Sequence, residues 1–271
     1  MNHDALAIAL NEADPELRLA AIHDIAENPQ IALSETSLNA LMLCLGVSRK
    51  VIQRGAAEAL AALASHDARV VEKSRAMLSH PDPRARWGAV YALGRVNLDD
   101  ALDLRAMPIL VEALSSNDGD LRWAAAELVV RLGRKNRDAV SRQLVALAAD
   151  GNLNARKMAL YCLRDVGGPR EELLAVAENC CSDHQSLLKM AVLALIARVE
   201  EPGDRAAALA IRLLEGDPDG GVRRCAAVAL GHIGSHSRAV IEALTRAANA
   251  EGDIYMKRAA QGALTRLGAI A

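Results

Sequence analysis

Any chemistry in this 271-residue chain would rest on seven histidines, five cysteines, two tryptophans and three tyrosines. His232 and His236 stand four apart, a spacing that on one helix lets two imidazoles share a metal. Gly234 falls between them at an expected helix end and no third ligand is evident, so a turn is expected instead. Cys180 and Cys181 are vicinal, near the end of a helix, but nothing nearby is placed to lower a thiol pKa. Cys162 and Cys225 occupy small-residue packing positions, so both are expected in the core. With Cys44 the cysteines number five, an odd count in a chain long enough to build its own core. That argues against a disulfide framework and fits a reducing, cytoplasmic compartment. No phosphate-binding glycine loop, GxSxG elbow or HExxH pair occurs, and Gly167–Gly168 and Gly220–Gly221 fall where turns are expected. The residues therefore predict no catalytic constellation, no metal and no cofactor.

What remains is a set of aromatic rings, and their role depends on the elements that carry them. Apolar residues make up 52% of the chain, yet phenylalanine is absent. Alanine and leucine packed at close range fill the space between helices, and alanine is the best helix former. Composition thus predicts an all-α protein.

One pattern recurs along the sequence: an Asp-containing turn, an apolar residue, a basic residue, then small residues leading to Ala-Leu and often Gly. It is clearest in DPELRLAAIHDI from Asp14, DPRARWGAVYALG from Asp82, DGDLRWAAAELV from Asp118, NLNARKMALYCL from Asn152 and DGGVRRCAAVALG from Asp219. With Leu17, Ile52, Ala85, Leu121, Ala155, Leu187, Val222 and Met256 as markers, successive spacings are 35, 33, 36, 34, 32, 35 and 34 residues. Upstream of each marker lies a second stretch with apolar residues three and four apart, such as Leu38, Leu41, Met42 and Leu45. Each repeat is therefore a helix pair, A then B. Asp or Asn caps helix B, Pro15 and Pro83 fit its first turn, and Gly94, Gly133 and Gly234 fall near its end.

The tetratricopeptide signature is missing. The Asp-(Pro)-x-Val-Arg-x-x-Ala-x-x-Ala-Leu-Gly pattern instead resembles HEAT repeats, especially the short bacterial form also seen in phycobilin lyases. The resemblance covers essentially the whole chain. It implies one HEAT-like domain over residues 1–271, a right-handed α-solenoid of about eight helix pairs. It also implies an arginine ladder along helix B, here Arg18, Arg86, Arg122, Arg156 and Arg223 with Lys257, broken at Gln53 and Leu188. The family's geometry places the B helices on the concave surface.

At about 100° per residue, B-helix positions 1, 5, 8, 9 and 12 form the core stripe, while 3, 7 and 10 lie opposite. Position 3 holds Trp87 and Trp123, and is basic in five of eight repeats: Arg54, Lys157, Lys189, Arg224 and Arg258. Position 7 holds Tyr91, Glu127 and Tyr161. Trp and Tyr offer large contact area with a polar tip and, with Arg, dominate interface energetics. These ten residues are the candidate partner-binding set, and a peptide or acidic protein segment is the first candidate for the groove. Nucleic acid is the second, on a resemblance to HEAT-like alkylpurine DNA glycosylases in which Glu127 would sit among Trp123, Tyr91 and Tyr161. A bilin-lyase or chaperone-like subunit is the third. The His-Glu pairs of HEAT-type deoxyhypusine hydroxylases are absent.

Formal charge is −2, and the longest apolar run, Met190 to Ala197, is too short to span a membrane. The N-terminal residues do not read as a secretory signal. A soluble, cytoplasmic protein is expected. Leu264, Leu267 and Ile270 on the last helix suggest an end on which another copy can stack, with the oligomeric state unassigned.

Overall fold

The computed structural model describes residues 3–98, 100–250 and 252–269. These residues form sixteen α-helices and no strand. In A–B pairs they are α1 (His3–Asn11) and α2 (Pro15–Glu27), α3 (Glu35–Leu43) and α4 (Lys50–Leu63), α5 (Arg69–Ala76) and α6 (Pro83–Arg95), and α7 (Met107–Leu114) and α8 (Gly119–Gly133). Then follow α9 (Arg137–Asp150) and α10 (Leu153–Val166), α11 (Arg170–Cys181) and α12 (Ser186–Ile196), α13 (Gly203–Gly216) and α14 (Gly220–Ile233), and α15 (Arg238–Asn249) and α16 (Ile254–Arg266). Two compact units result, Met1–Ala113 and Leu114–Ala271. Within the first, α1, α3 and α5 pack side by side, as do α2, α4 and α6. Within the second, α9, α11, α13 and α15 form one layer, and α8, α10, α12, α14 and α16 the other.

The B helices start where their capping residues dictate. Asp14, Asp82, Asp118, Asn152, Asp219 and Asp253 each accept a hydrogen bond from the first-turn backbone, at 2.7–3.3 Å. Pro15 and Pro83 are the first helical residues of α2 and α6. Gly234 ends α14 in the left-handed region at φ 72°, where glycine is free of Cβ strain. Gly133 has another role, because a Cβ there would come within 2.7 Å of a Val166 methyl.

The core stripe falls as the periodicity requires. Position 5 is a buried alanine in seven repeats, at Ala21, Ala56, Ala89, Ala125, Ala159, Ala226 and Ala260. Position 9 is buried Ile, Leu or Val throughout, from Ile25 and Leu60 to Leu230 and Leu264. Small residues allow the helices to close up. A Cβ on Gly88 would stand 2.4 Å from the Leu45 carbonyl oxygen, and one on Gly231 would stand 2.9 Å from the Ala263 Cα. Helices this close leave no room for a phenylalanine ring between them.

Three expectations need correction. Position 10 does not face outward in every repeat: Gly94 and Gly231 are buried there, and Gly231 meets the neighbouring B helix, while Thr265 is exposed. Leu264 and Leu267 are buried and offer no stacking surface, while Ile270 lies outside the described residues. The register of the sixth repeat is also shifted by one. Its cap is Gln185, so the first core residue is the fully buried Leu188, 33 and 34 residues from Ala155 and Val222. Leu187 is 55% exposed, and Lys189 takes the ladder position.

The ladder is therefore unbroken from the second to the seventh repeat. Its side chains cross the A–B turn and donate to carbonyls that the A helix leaves orphaned. Arg122 reaches the Ser116 oxygen at 2.7 Å, Arg156 that of Ala148 at 3.0 Å, and Arg223 that of Asp217 at 2.8 Å. Gln53 serves as a neutral substitute, donating to the Leu45 oxygen at 2.6 Å and to that of Arg84 at 3.2 Å. Lys189 instead donates to the Asp217 carboxylate at 2.6 Å.

Candidate partner-binding surface

In the first unit, Trp87 and Tyr91 sit one turn apart on α6 with ring centroids 6.0 Å apart and planes tilted by 37°. Both are partly buried, and Tyr91 packs against the core. The Arg95 guanidinium donates to the Tyr91 hydroxyl at 2.8 Å and lies 3.5 Å from Glu58 on α4. Arg54, one turn before Glu58, is exposed.

In the second unit the corresponding pair bridges two helices. Trp123 on α8 stacks on Tyr161 of α10, with centroids 6.0 Å apart and planes within 23°. Trp123 is 59% exposed, so one face of the indole meets solvent. The Arg164 guanidinium lies 5.5 Å from the Tyr161 centroid and is held by a two-pronged pair of hydrogen bonds to Asp165, at 2.8 and 2.7 Å. Burial pushes the Tyr161 hydroxyl pKa up, with Arg164 opposing. Glu127 is exposed one turn beyond Trp123, and Lys157 is partly exposed one turn before Tyr161.

Further along this layer, Arg224 pairs with Asp253 at 3.3 Å and lies over the Tyr255 ring at 6.0 Å, and Arg258 is exposed. Lys189 does not belong with them. Its side chain is 13% exposed and paired with the 2%-exposed Asp217 carboxylate, so its charge is already engaged. Met190 takes its place on the outward stripe, partly buried.

Sequence reasoning missed part of this face. Among the described residues of the second unit, the exposed large apolar side chains are Trp123, Leu153, Leu187, Val228, Ile254 and Tyr255, all on B helices. Tyr255 is 66% exposed and Val228 47%. The A layer differs. Arg205 of α13 grips Glu171 and Glu178 of α11, at 2.9 and 2.6 Å, and Arg246 of α15 meets Glu215 of α13 at 2.5 Å. Ion pairs occur in both layers, but among the described residues of this unit the exposed large apolar side chains lie on the B layer.

The remaining reactive side chains make no site. Cys162 and Cys181 are buried and their thiol pKa values are pushed up to about 12, mainly by burial. Burial also raises Cys180, although the Arg156 guanidinium lies 3.8 Å from its sulfur. Cys225, expected in the core, is partly exposed. Among the described residues no group of three or more His, Cys, Asp or Glu side chains is arranged to hold a metal, and no helix is long and apolar enough to cross a membrane.

The family model for HEAT repeats matches residues 38–129 and 171–265. The chain belongs to the HEAT-repeat family. Its fold is that of other HEAT solenoids. Yeast importin-β (Kap95p) is 12% identical, with a TM-score of 0.64 over 97% of this chain and 40% of its own. The karyopherin Kap121p, bound to the extreme C-terminus of the protein phosphatase Cdc14p, is 11% identical, with a TM-score of 0.72 over 98% and 34%. An engineered protein is 20% identical, with a TM-score of 0.50 over 98% and 79%. This HEAT chain thus spans about a third to two fifths of the karyopherins it resembles. No curated protein matches it.

Proposed function

We propose that this HEAT protein is a non-enzymatic scaffold that holds a peptide or acidic protein segment against its B helices, with Trp123 and Tyr161 as anchor. The observation carrying this reading is the segregation of exposed apolar side chains onto the B layer of the second unit. Exposed apolar surface that is gathered rather than scattered marks an interaction site on a soluble domain. Covering the exposed part of Trp123 is worth about 3 kcal/mol before ordering costs, enough for an anchor. Lys157, Arg224 and Arg258 supply positive charge along the same face, and Glu127 interrupts it. In the first unit Arg54, Trp87 and Tyr91 offer a smaller aromatic–basic surface of the same kind. Kap121p, of the same fold, is bound to the C-terminal end of one protein and to Nup53p in another structure, which supports protein rather than nucleic acid as the ligand class.

Panning a random peptide library on the immobilised protein tests this. Recovered peptides should combine acidic with leucine or aromatic residues and bind the Trp123→Ala variant at least tenfold more weakly, about 1.4 kcal/mol or more. Equal binding to the variant, with an unchanged helical circular dichroism spectrum, would sink the reading.

A further inference from the structure

Three successive B helices of the second unit end on a side chain that can carry positive charge. Arg198 follows the end of α12, His232 lies in the last turn of α14, and Arg266 is the last residue of α16. All three are exposed. Cations at helix C-termini complement the macrodipole, which accounts for each one singly. It does not account for their arrangement. One Arg266 nitrogen stands 2.9 Å from Nδ1 and 3.0 Å from Nε2 of His232, a position over the ring face that no in-plane hydrogen bond could give. Arg198 is also near enough for its charge to act on the imidazole. Neither arginine has a carboxylate partner among the described residues, although the chain holds more acidic than basic residues and pairs them freely elsewhere.

Nearer the other end of the same helices, exposed apolar side chains accompany Arg258 and the Arg224–Asp253 pair. Leu187 opens α12 and Tyr255 opens α16, both exposed, and Val228 is exposed in the middle of α14. Between the two rows the face is low, with Ala194 and Gly262 on it. From Leu187 to Arg198, and from Tyr255 to Arg266, eleven residues at 1.5 Å rise span about 16 Å. A helix with its side chains is about 10–12 Å across, and glutamate side chains extend that reach.

We propose that Arg198, His232 and Arg266 form a carboxylate-docking row that orients an acidic amphipathic segment of a protein partner, its apolar side chains resting on Leu187, Val228 and Tyr255. The inference rests on the scaffold reading above and adds the edge at which the partner's negative charge must lie. Burial first, then the Arg266 and Arg198 charges, hold the His232 pKa below the ordinary histidine value, so the two guanidiniums carry the charge of the row and the imidazole adds a hydrogen-bond donor. Nucleic acid suits the row less well, since two guanidiniums and an imidazole answer few phosphates and the apolar row answers none.

The test uses the full chain and a short fluorescein-labelled peptide with glutamates on one helical face and leucines on the other, beside the same peptide with glutamines. Fluorescence anisotropy should show tighter binding of the glutamate peptide. Arg198→Gln with Arg266→Gln should remove about fivefold to tenfold of that binding and leave the glutamine peptide unaffected. Leu187→Ser with Tyr255→Ser should weaken both peptides alike. If the arginine variant binds the glutamate peptide as wild type does, the docking row is wrong while the scaffold reading stands. If an oligodeoxythymidylate binds wild type more tightly than the glutamate peptide, the ligand class is wrong. Binding of neither peptide to wild type overturns both readings.

Discussion

Lys189 and Asp217 show how one side chain fixes the alignment of a repeat. In five other repeats an arginine spans the A–B turn, and in the second a glutamine does so. In the sixth, a shorter ammonium reaches a carboxylate instead. Because α12 also starts without a side-chain cap, its sequence offered neither of the two landmarks that set the register elsewhere. Alignment on Leu187 followed, and with it the misplacement of Lys189 on the outward stripe. The pair is buried, so removing one partner leaves an uncompensated charge. Asp217→Ala should therefore destabilise the fold by about 3–5 kcal/mol, read as a lower urea midpoint. A loss below about 1 kcal/mol would mean the ion pair is loose in solution. The thiols give a second check at this scale. With Cys162 and Cys181 pushed to about 12, and Cys44 and Cys180 buried and raised, a thiol reagent at pH 8 should label Cys225 first. Full labelling of all five should require denaturant.

Helices were the most legible level of this protein. A repeat near 34 residues, six capping Asp or Asn side chains and the buried stripe at positions 5 and 9 all follow from spacing and residue type. Helical spacing could not say which leucines stay uncovered. Leu187 and Leu188 are adjacent and chemically identical, yet one is 55% exposed and the other fully buried, because the roughly 100° between successive residues of α12 carries the chain from solvent to core. The packing of small residues was legible in type but not in distance. Gly88 sits where α6 crosses the end of the third helix's 3₁₀ extension, Cys44–Gly46, with the Leu45 oxygen 2.4 Å from where a Cβ would stand. Gly88→Ala must move backbone rather than a flexible side chain. It should cost about 3 kcal/mol in chemical unfolding, far above the usual small effect of Gly→Ala in a helix.

At the scale of the whole molecule, a net charge of −2 conceals an uneven distribution. Ion pairs bind the A helices of the second unit to one another, while its B helices keep exposed apolar side chains, and Arg198 and Arg266 at their ends have no carboxylate partner among the described residues. Composition gives the sum and is blind to this sorting. The same sorting leaves Trp123 with one open face and the other stacked on Tyr161, and the chain has a single further tryptophan, Trp87. The molecule thereby carries its own optical reporter. With Trp87→Phe as the only change, emission should be red-shifted and strongly quenched by acrylamide. Any ligand that settles on this indole should shift the spectrum to the blue and shield it, so occupancy can be followed without attaching a dye.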